Sequence, residues 1–138
     1  MILEVISAYF VSFSFGVLFN IKGKYLNIAG LGGSIGWFVY KLSLLSLSEP
    51  VSMFLASIFF SIYCEVCARI FRTPNTLLSV CALIPLVPGY GIYRYIFELI
   101  SGNYLEAMNI GINTLASSGA LALGVIFIST IFRAVKTK

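Results

Sequence analysis

The amino-acid sequence predicts an all-α integral membrane bundle of five transmembrane helices, and three observations predict it. Hydrophobic residues make up 59% of the chain and charged ones 10%, so a water-soluble domain of 138 residues would have no interior large enough for its apolar surface. The apolar residues fall in runs of about 20, the length of helix that crosses a hydrocarbon core of ~30 Å. Eight of the fourteen charged residues lie in the links between these runs or after the last of them. A single transmembrane domain is expected over the whole length, residues 1–138. The net charge of +4, which in a soluble chain would suggest nucleic acid, has a topological meaning here, and no nucleic-acid partner is expected.

The first apolar run covers residues 2–20. It has no basic start, since Glu4 is its only charge, and no small-x-small cleavage site, so it reads as a retained helix and not as a signal peptide. Lys22 and Lys24 occupy the link that follows. The second helix is expected over 28–47, with Lys41 inside it. Ser48-Glu49-Pro50 makes a turn with a helix-starting proline, and the third helix runs over 51–70, closed by Arg69 and Arg72. The fourth span covers 77–100 and the fifth 110–132, followed by Arg133, Lys136 and Lys138. With five spans, Lys22, Lys24, Arg69, Arg72, Arg133, Lys136 and Lys138 share one side, and Glu4, Glu49, Glu98 and Glu106 lie near the other. Basic links face the cytoplasm, which predicts N-terminus out and C-terminus in.

The fourth span is the unusual one. Within Ile84-Pro85-Leu86-Val87-Pro88-Gly89-Tyr90-Gly91, the two prolines carry no N–H, so the carbonyls of Cys81 and Ile84 lose their helical donors, while the glycines permit a turn. A discontinuous helix is expected, broken near 85–91, its second half offering unbonded N–H groups around Gly91 and Ile92. In hydrocarbon such groups are tolerated only where protein buries them or where they line a cavity. Pro88 lies eleven residues beyond Leu77, ~16 Å at the helical rise and close to mid-membrane. A helix N-terminus there would attract a carboxylate without a buried formal cation. Pro85, Pro88, Gly89, Tyr90, Gly91 and Arg94 are therefore the candidate substrate-binding residues.

Other polar groups have structural readings. Arg94 and Glu98 stand at the i,i+4 spacing of a pair, as do Glu65 and Arg69, and Lys41 is placed to snorkel outward. Asn109 and Asn113 either hydrogen-bond across helices or mark the outer boundary of the last one. Gly32 and Gly36, and Ala116, Ala120 and Gly124, form small-residue stripes suited to close helix packing. So many such faces on few helices predict an assembly. Cys64 and Cys67 have a redox-like spacing, but with Cys81 as the third cysteine and no histidine they lack the ligands of a closed zinc site, and no metal or cofactor is expected. No nucleophile–base pair and no phosphate-binding loop are recognisable, so the chain is not read as an enzyme.

Gly30-Leu31-Gly32-Gly33-Ser34-Ile35-Gly36, Ala56-Ser57, Arg69 with Arg72-Thr73-Pro74, and above all Ile84-Pro85-Leu86-Val87-Pro88-Gly89 together resemble the small, membrane-only subunit of the threonine/serine exporter family. The resemblance implies a multi-pass protein of the cell membrane, acting as half of a two-component secondary exporter for small carboxylate-bearing metabolites. These would be threonine and serine, or a dicarboxylate such as succinate. It also implies a larger partner with five spans and a cytoplasmic domain, hence a hetero- or homo-oligomer in the lipid bilayer. The alternative is a non-transporting scaffold or accessory subunit for such a partner.

Overall fold

The computed structural model describes residues 1–136, and Lys138 of the basic set lies outside the described residues. Six α-helices follow one another: α1 (Ile2–Leu18), α2 (Lys24–Leu44), α3 (Glu49–Phe71), α4 (Asn75–Leu83), α5 (Gly89–Ile100) and α6 (Tyr104–Lys136). A single 3-10 turn, Ile84–Leu86, joins α4 to the break. There is no strand among the described residues. α3 starts one residue before its helix-favouring proline, as a proline at the first turn allows, and stops at Arg72 in the left-handed conformation. α6 begins at Tyr104, not near Ile110 as expected: the stretch 104–109 is helical because Gly102, at φ +85°, completes the turn and Asn103 accepts the first backbone bond, from Ala107.

Cross-helix contacts fix the directions. α1 and α2 are antiparallel, with Tyr9 donating to Asn27 at 2.7 Å and Ser34 to the Val5 carbonyl at 3.2 Å. α2 and α3 are antiparallel too, joined by the Tyr63 hydroxyl on the Ile28 carbonyl at 3.1 Å. α3 and α6 run parallel: Asn113 bonds Glu49 near their starts, and Arg69 bonds the Phe132 carbonyl near their ends. α4 runs alongside α2, because Gly32 faces Ala82 and Gly36 faces Leu86. α5 lies antiparallel to α6, with Gly91 against Thr114 and Gly111 against Tyr95.

This arrangement gives the bundle two chemically different ends. Lys22, Lys24, Arg69, Arg72, Arg133 and Lys136 lie toward one, while Glu4, Glu49, Glu98 and Glu106 lie toward the other. α3 and α6 are each long and apolar enough to cross a membrane, and the α4–α5 pair is a third candidate if its bend of 44° is crossed as one span. α1 is a shorter apolar helix of 17 residues, and α2, at 21 residues, carries Asn27, Lys41 and four glycines.

The core sits where α2, α3 and α4 meet. Ala29, Ala56, Phe60, Cys64, Leu78, Cys81, Ala82 and Leu86 are buried there. A Cβ added at Gly32 would come within 3.1 Å of Ala82 Cβ and 3.4 Å of Cys64 Sγ, and one at Gly36 within 2.8 Å of Leu86 and 3.3 Å of Phe60. Both glycines therefore let three helices approach closely, the packing expected of small residues in membrane helices. In α6 the face against α3 carries Ser117, Leu121 and Gly124, with Gly124 on Ser57. Ala116 is exposed and Ala120 half-buried, so of the small-residue stripe read from the sequence only Gly124 lies fully in this contact. The reason is rotation: α6 packs through Thr114, Ser117, Leu121, Gly124 and Ile128, and Ala116 falls outside that row.

The paired charges also differ from expectation in one place. Glu65 does not pair with Arg69. Its Oε1 accepts a bond of 2.7 Å from Asn75, at the start of α4, while Arg69 reaches the Phe132 carbonyl and lies 4.8 Å from the centre of that ring. Helix-to-helix packing brings better partners to both than the i,i+4 neighbour.

Candidate functional site

Two prolines separated by two residues decide the shape of the centre of the molecule. Pro85 fits the first turn of the 3-10 segment, where a missing N–H costs little, and the Ile84 carbonyl, deprived of Pro88, takes the Val87 N–H at 3.2 Å instead. Val87 is extended, at φ −59° and ψ 126°. Pro88, at φ −76° and ψ 59°, forms an inverse γ-turn in which the Gly89 N–H bonds the Val87 carbonyl at 2.7 Å. The chain then restarts as α5, and the Ile92 N–H bonds the Pro88 carbonyl at 3.3 Å. The sequence expectation needs correcting by one residue pair: Ile92 is bonded, and the backbone N–H groups without a backbone acceptor among the described residues are those of Tyr90 and Gly91. The γ-turn consumes Gly89's donor, and Pro88's carbonyl reaches forward to Ile92.

The break lies level with the middle of the bundle, since Leu86 and Phe60, the central residue of α3, both meet Gly36. On the acidic side of it opens a cavity of about 490 Å³. Pro85, Pro88, Gly89, Tyr90, Gly91 and Arg94 all line it. The opposite wall comes from elements far away in sequence: Trp37, Tyr40 and Lys41 of α2, Glu49 and Met53 of α3, and Asn109, Asn113 and Thr114 of α6. Gly91 is needed for this closure. A side chain there would collide with Thr114, so only glycine lets the start of α5 rest on α6. Gly89 faces open space.

Charges around the cavity are mostly spoken for. Lys41 is held by Glu4 at 2.9 Å, a carboxylate that also accepts from the Trp37 indole at 3.2 Å. Lys41 therefore bridges to α1 instead of simply extending outward. Arg94 pairs with Glu98 at 3.4 Å, as the spacing predicts, and Glu98 also accepts from Asn103 at 2.8 Å. Glu49 accepts from Asn113 Nδ2 at 2.7 Å. Along α5 the residues Gly91, Arg94 and Glu98 share one face, while Tyr93, Ile96, Phe97 and Ile100 point outward and are exposed. The cysteines are free thiols, and among the described residues no group of acidic, cysteine or histidine side chains could hold a metal ion.

An apolar helical bundle with a part-open cavity at a proline break is compatible with a membrane transporter. The family described as Threonine/Serine exporter, ThrE, matches residues 4–131. The chain belongs to the threonine/serine exporter family. That membership makes it a transporter-type protein. Neither the curated proteins nor the solved structures returned a match. In this exporter-family chain the match spans all six helices and the break, not one motif alone.

Sequence reasoning singled out the proline–glycine side of the cavity and missed most of the facing wall. Asn113 was recognised as able to bond across helices, but nothing adjacent in sequence marks Trp37, Tyr40 or Thr114. Glu49 looked like a turn residue. Its signal was position: a carboxylate at a helix start, one end of the bundle, with no basic residue within a helical turn of it.

Proposed function

We propose that the chain is the membrane-only subunit of a two-component secondary exporter, in which the start of α5 docks the carboxylate of a small metabolite leaving the cytoplasm. The observation that carries this reading is the pair of unbonded N–H groups, Tyr90 and Gly91, at a helix N-terminus in the wall of a cavity of about 490 Å³. Such a terminus holds roughly half a positive charge and two directed donors, and broken helices in transporters use the same arrangement for anionic groups. Arg94, one turn further on and neutralised by Glu98, adds a weaker attraction.

In this reading the chain crosses the cell membrane five times. α1, α2, α3, the α4–α5 pair and α6 are the spans, with the basic end in the cytoplasm and the N-terminus outside. The cavity then faces outward in this conformation, and its inner side is closed by the packing around Gly32, Ala82 and Cys64. Alternating exposure requires that seal to open and the outer one to close. The unwound residues Val87 and Pro88 are the place where α5 can swing relative to α4. Substrates of this reading are hydroxy amino acids or a small dicarboxylate. A larger five-span subunit with a cytoplasmic domain completes the pathway. The exposed ladder Tyr90, Tyr93 and Phe97, with ring centres 6.5 and 6.2 Å apart, lies on a face covered by lipid or by that partner.

Substrate efflux measured with Pro88→Leu and Gly89→Leu variants tests the docking role. A Cβ added at Gly89 meets nothing within 4 Å, so a leucine there adds bulk at the cavity wall without a clash at its Cβ. Both variants are expected to insert normally and to lose most efflux. Wild-type efflux in both would reject the role of the break.

A further inference from the structure

We propose that Glu49 receives the ammonium group of the transported molecule and so sets the cavity for zwitterionic amino acids over dicarboxylates. This rests on the break as the carboxylate dock and adds the opposite pole of the site.

The argument is a balance of charge around one cavity. Two cations line it, and each already has a carboxylate: Lys41 with Glu4, and Arg94 with Glu98. Glu49 is the carboxylate that lines the same cavity, and among the described residues no cation pairs with it. Its one hydrogen bond comes from a neutral amide, Asn113 Nδ2, at 2.7 Å to Oε2. That bond orients the carboxylate and brings no positive charge to it, with lone pairs to spare for a donor of three protons. The formal sum of the lining groups and their partners is therefore one negative charge, facing the partial positive charge of the α5 N-terminus.

The two poles are tied together through α6. Gly91 rests on Thr114, and the neighbouring residue, Asn113, holds Glu49, so consecutive residues of one helix fix the carboxylate and the first turn of α5 in the wall of the same cavity. A dicarboxylate entering this space would bring a second negative charge toward an unneutralised one, and like charges in a site of lowered dielectric repel strongly. An α-amino acid brings the missing cation. Glu49 thereby discriminates by repulsion as much as by attraction.

The test uses the full chain in cells that carry its native membrane neighbours, loaded with serine, with succinate, or with glycerate, which is serine with a hydroxyl in place of the ammonium. Wild type is expected to export serine in preference to succinate. Glu49→Gln keeps the shape and an acceptor for Asn113 but removes the charge, and it should lower serine efflux about tenfold, the cost of losing a hydrogen bond to a charged group, while any efflux of glycerate stays at its wild-type level. Glu49→Asp keeps the charge with a shorter reach, so its serine efflux should fall between the two. The proposal is overturned by serine efflux in Glu49→Gln equal to wild type or to Glu49→Asp, by serine and glycerate falling in parallel, or by a wild-type preference for succinate. Its failure differs from failure of the carboxylate dock: efflux that is lost in Pro88→Leu and Gly89→Leu but indifferent to Glu49 sinks this proposal and leaves the dock standing.

Discussion

The two helices on either side of the proline break, α4 and α5, differ in how they are held. α4 is wedged among α1, α2 and α3, with Leu78, Cys81 and Ala82 buried, and Leu86 just beyond it has no exposed surface. α5 has no buried residue and rests mainly on α6, along a face where glycines do the fitting. Both halves are apolar helices of the same stretch of chain, separated by a few residues. The difference teaches that the prolines do more than bend a helix: they divide it into an anchored stem and an arm held by a single neighbour. Fewer packed contacts mean a lower free energy of local opening, and elements that move in transport are drawn from that end of the range.

Disturbing the stem should have the largest effect. Gly32→Leu forces a side chain between Ala82, whose Cβ is fixed to its backbone, and the fully buried Cys64, and overpacking of this kind costs about 1–3 kcal/mol. Thermal unfolding in detergent is expected to show a clear drop, with little correctly inserted protein, and a melting curve like wild type would refute the wedge. Disturbing the arm should separate stability from function. Gly91→Val collides with Thr114 and pries α5 from α6, so efflux is expected to collapse while the melting temperature falls less than for Gly32→Leu. Equal losses of stability in the two variants would erase the distinction between stem and arm.

Smaller effects sharpen the same contrast. Backbone amides of residues 78–83 should exchange with deuterium more slowly than those of residues 92–99, as mass spectrometry of the reconstituted protein can show, and equal protection would mean that α5 is held as firmly as α4. Arg94→Gln should matter least. Its contact with Glu98 is single, 3.4 Å long and 42% exposed on the arginine side, and surface pairs of this kind contribute about 0–1 kcal/mol. Efflux is expected within about threefold of wild type, and a collapse would promote Arg94 from a background charge to a direct contact.

Much of the fold was legible because membrane helices are governed by length, apolarity and punctuation. The break was written in Pro85 and Pro88, whose missing donors act wherever the chain is placed. A proline and a basic cluster placed the third helix at 51–70, within two residues of the observed Glu49–Phe71. The start of α6 was not legible, since Ser101 to Glu106 reads as a polar link and the chain is helical from Tyr104 onward as the return from α5. Glu65 and Arg69 illustrate a different limit: helical spacing offered each the other, and tertiary packing offered Asn75 and the Phe132 carbonyl.

The site divides in the same way. Its proline and glycine side follows from local backbone chemistry, because a residue's missing N–H or missing Cβ is a property of that residue alone. Its facing side, Trp37, Lys41, Glu49 and Asn113, comes from three other helices whose rotations depend on how Gly32, Gly36, Gly91 and Gly124 let them approach. Sequence by itself determined that this chain is a helical membrane protein with an interruption in its fourth apolar run. Tertiary structure alone decided that Glu49 stands beside that interruption without a cation, because pairing between residues 64 apart is settled by packing, not by order along the chain.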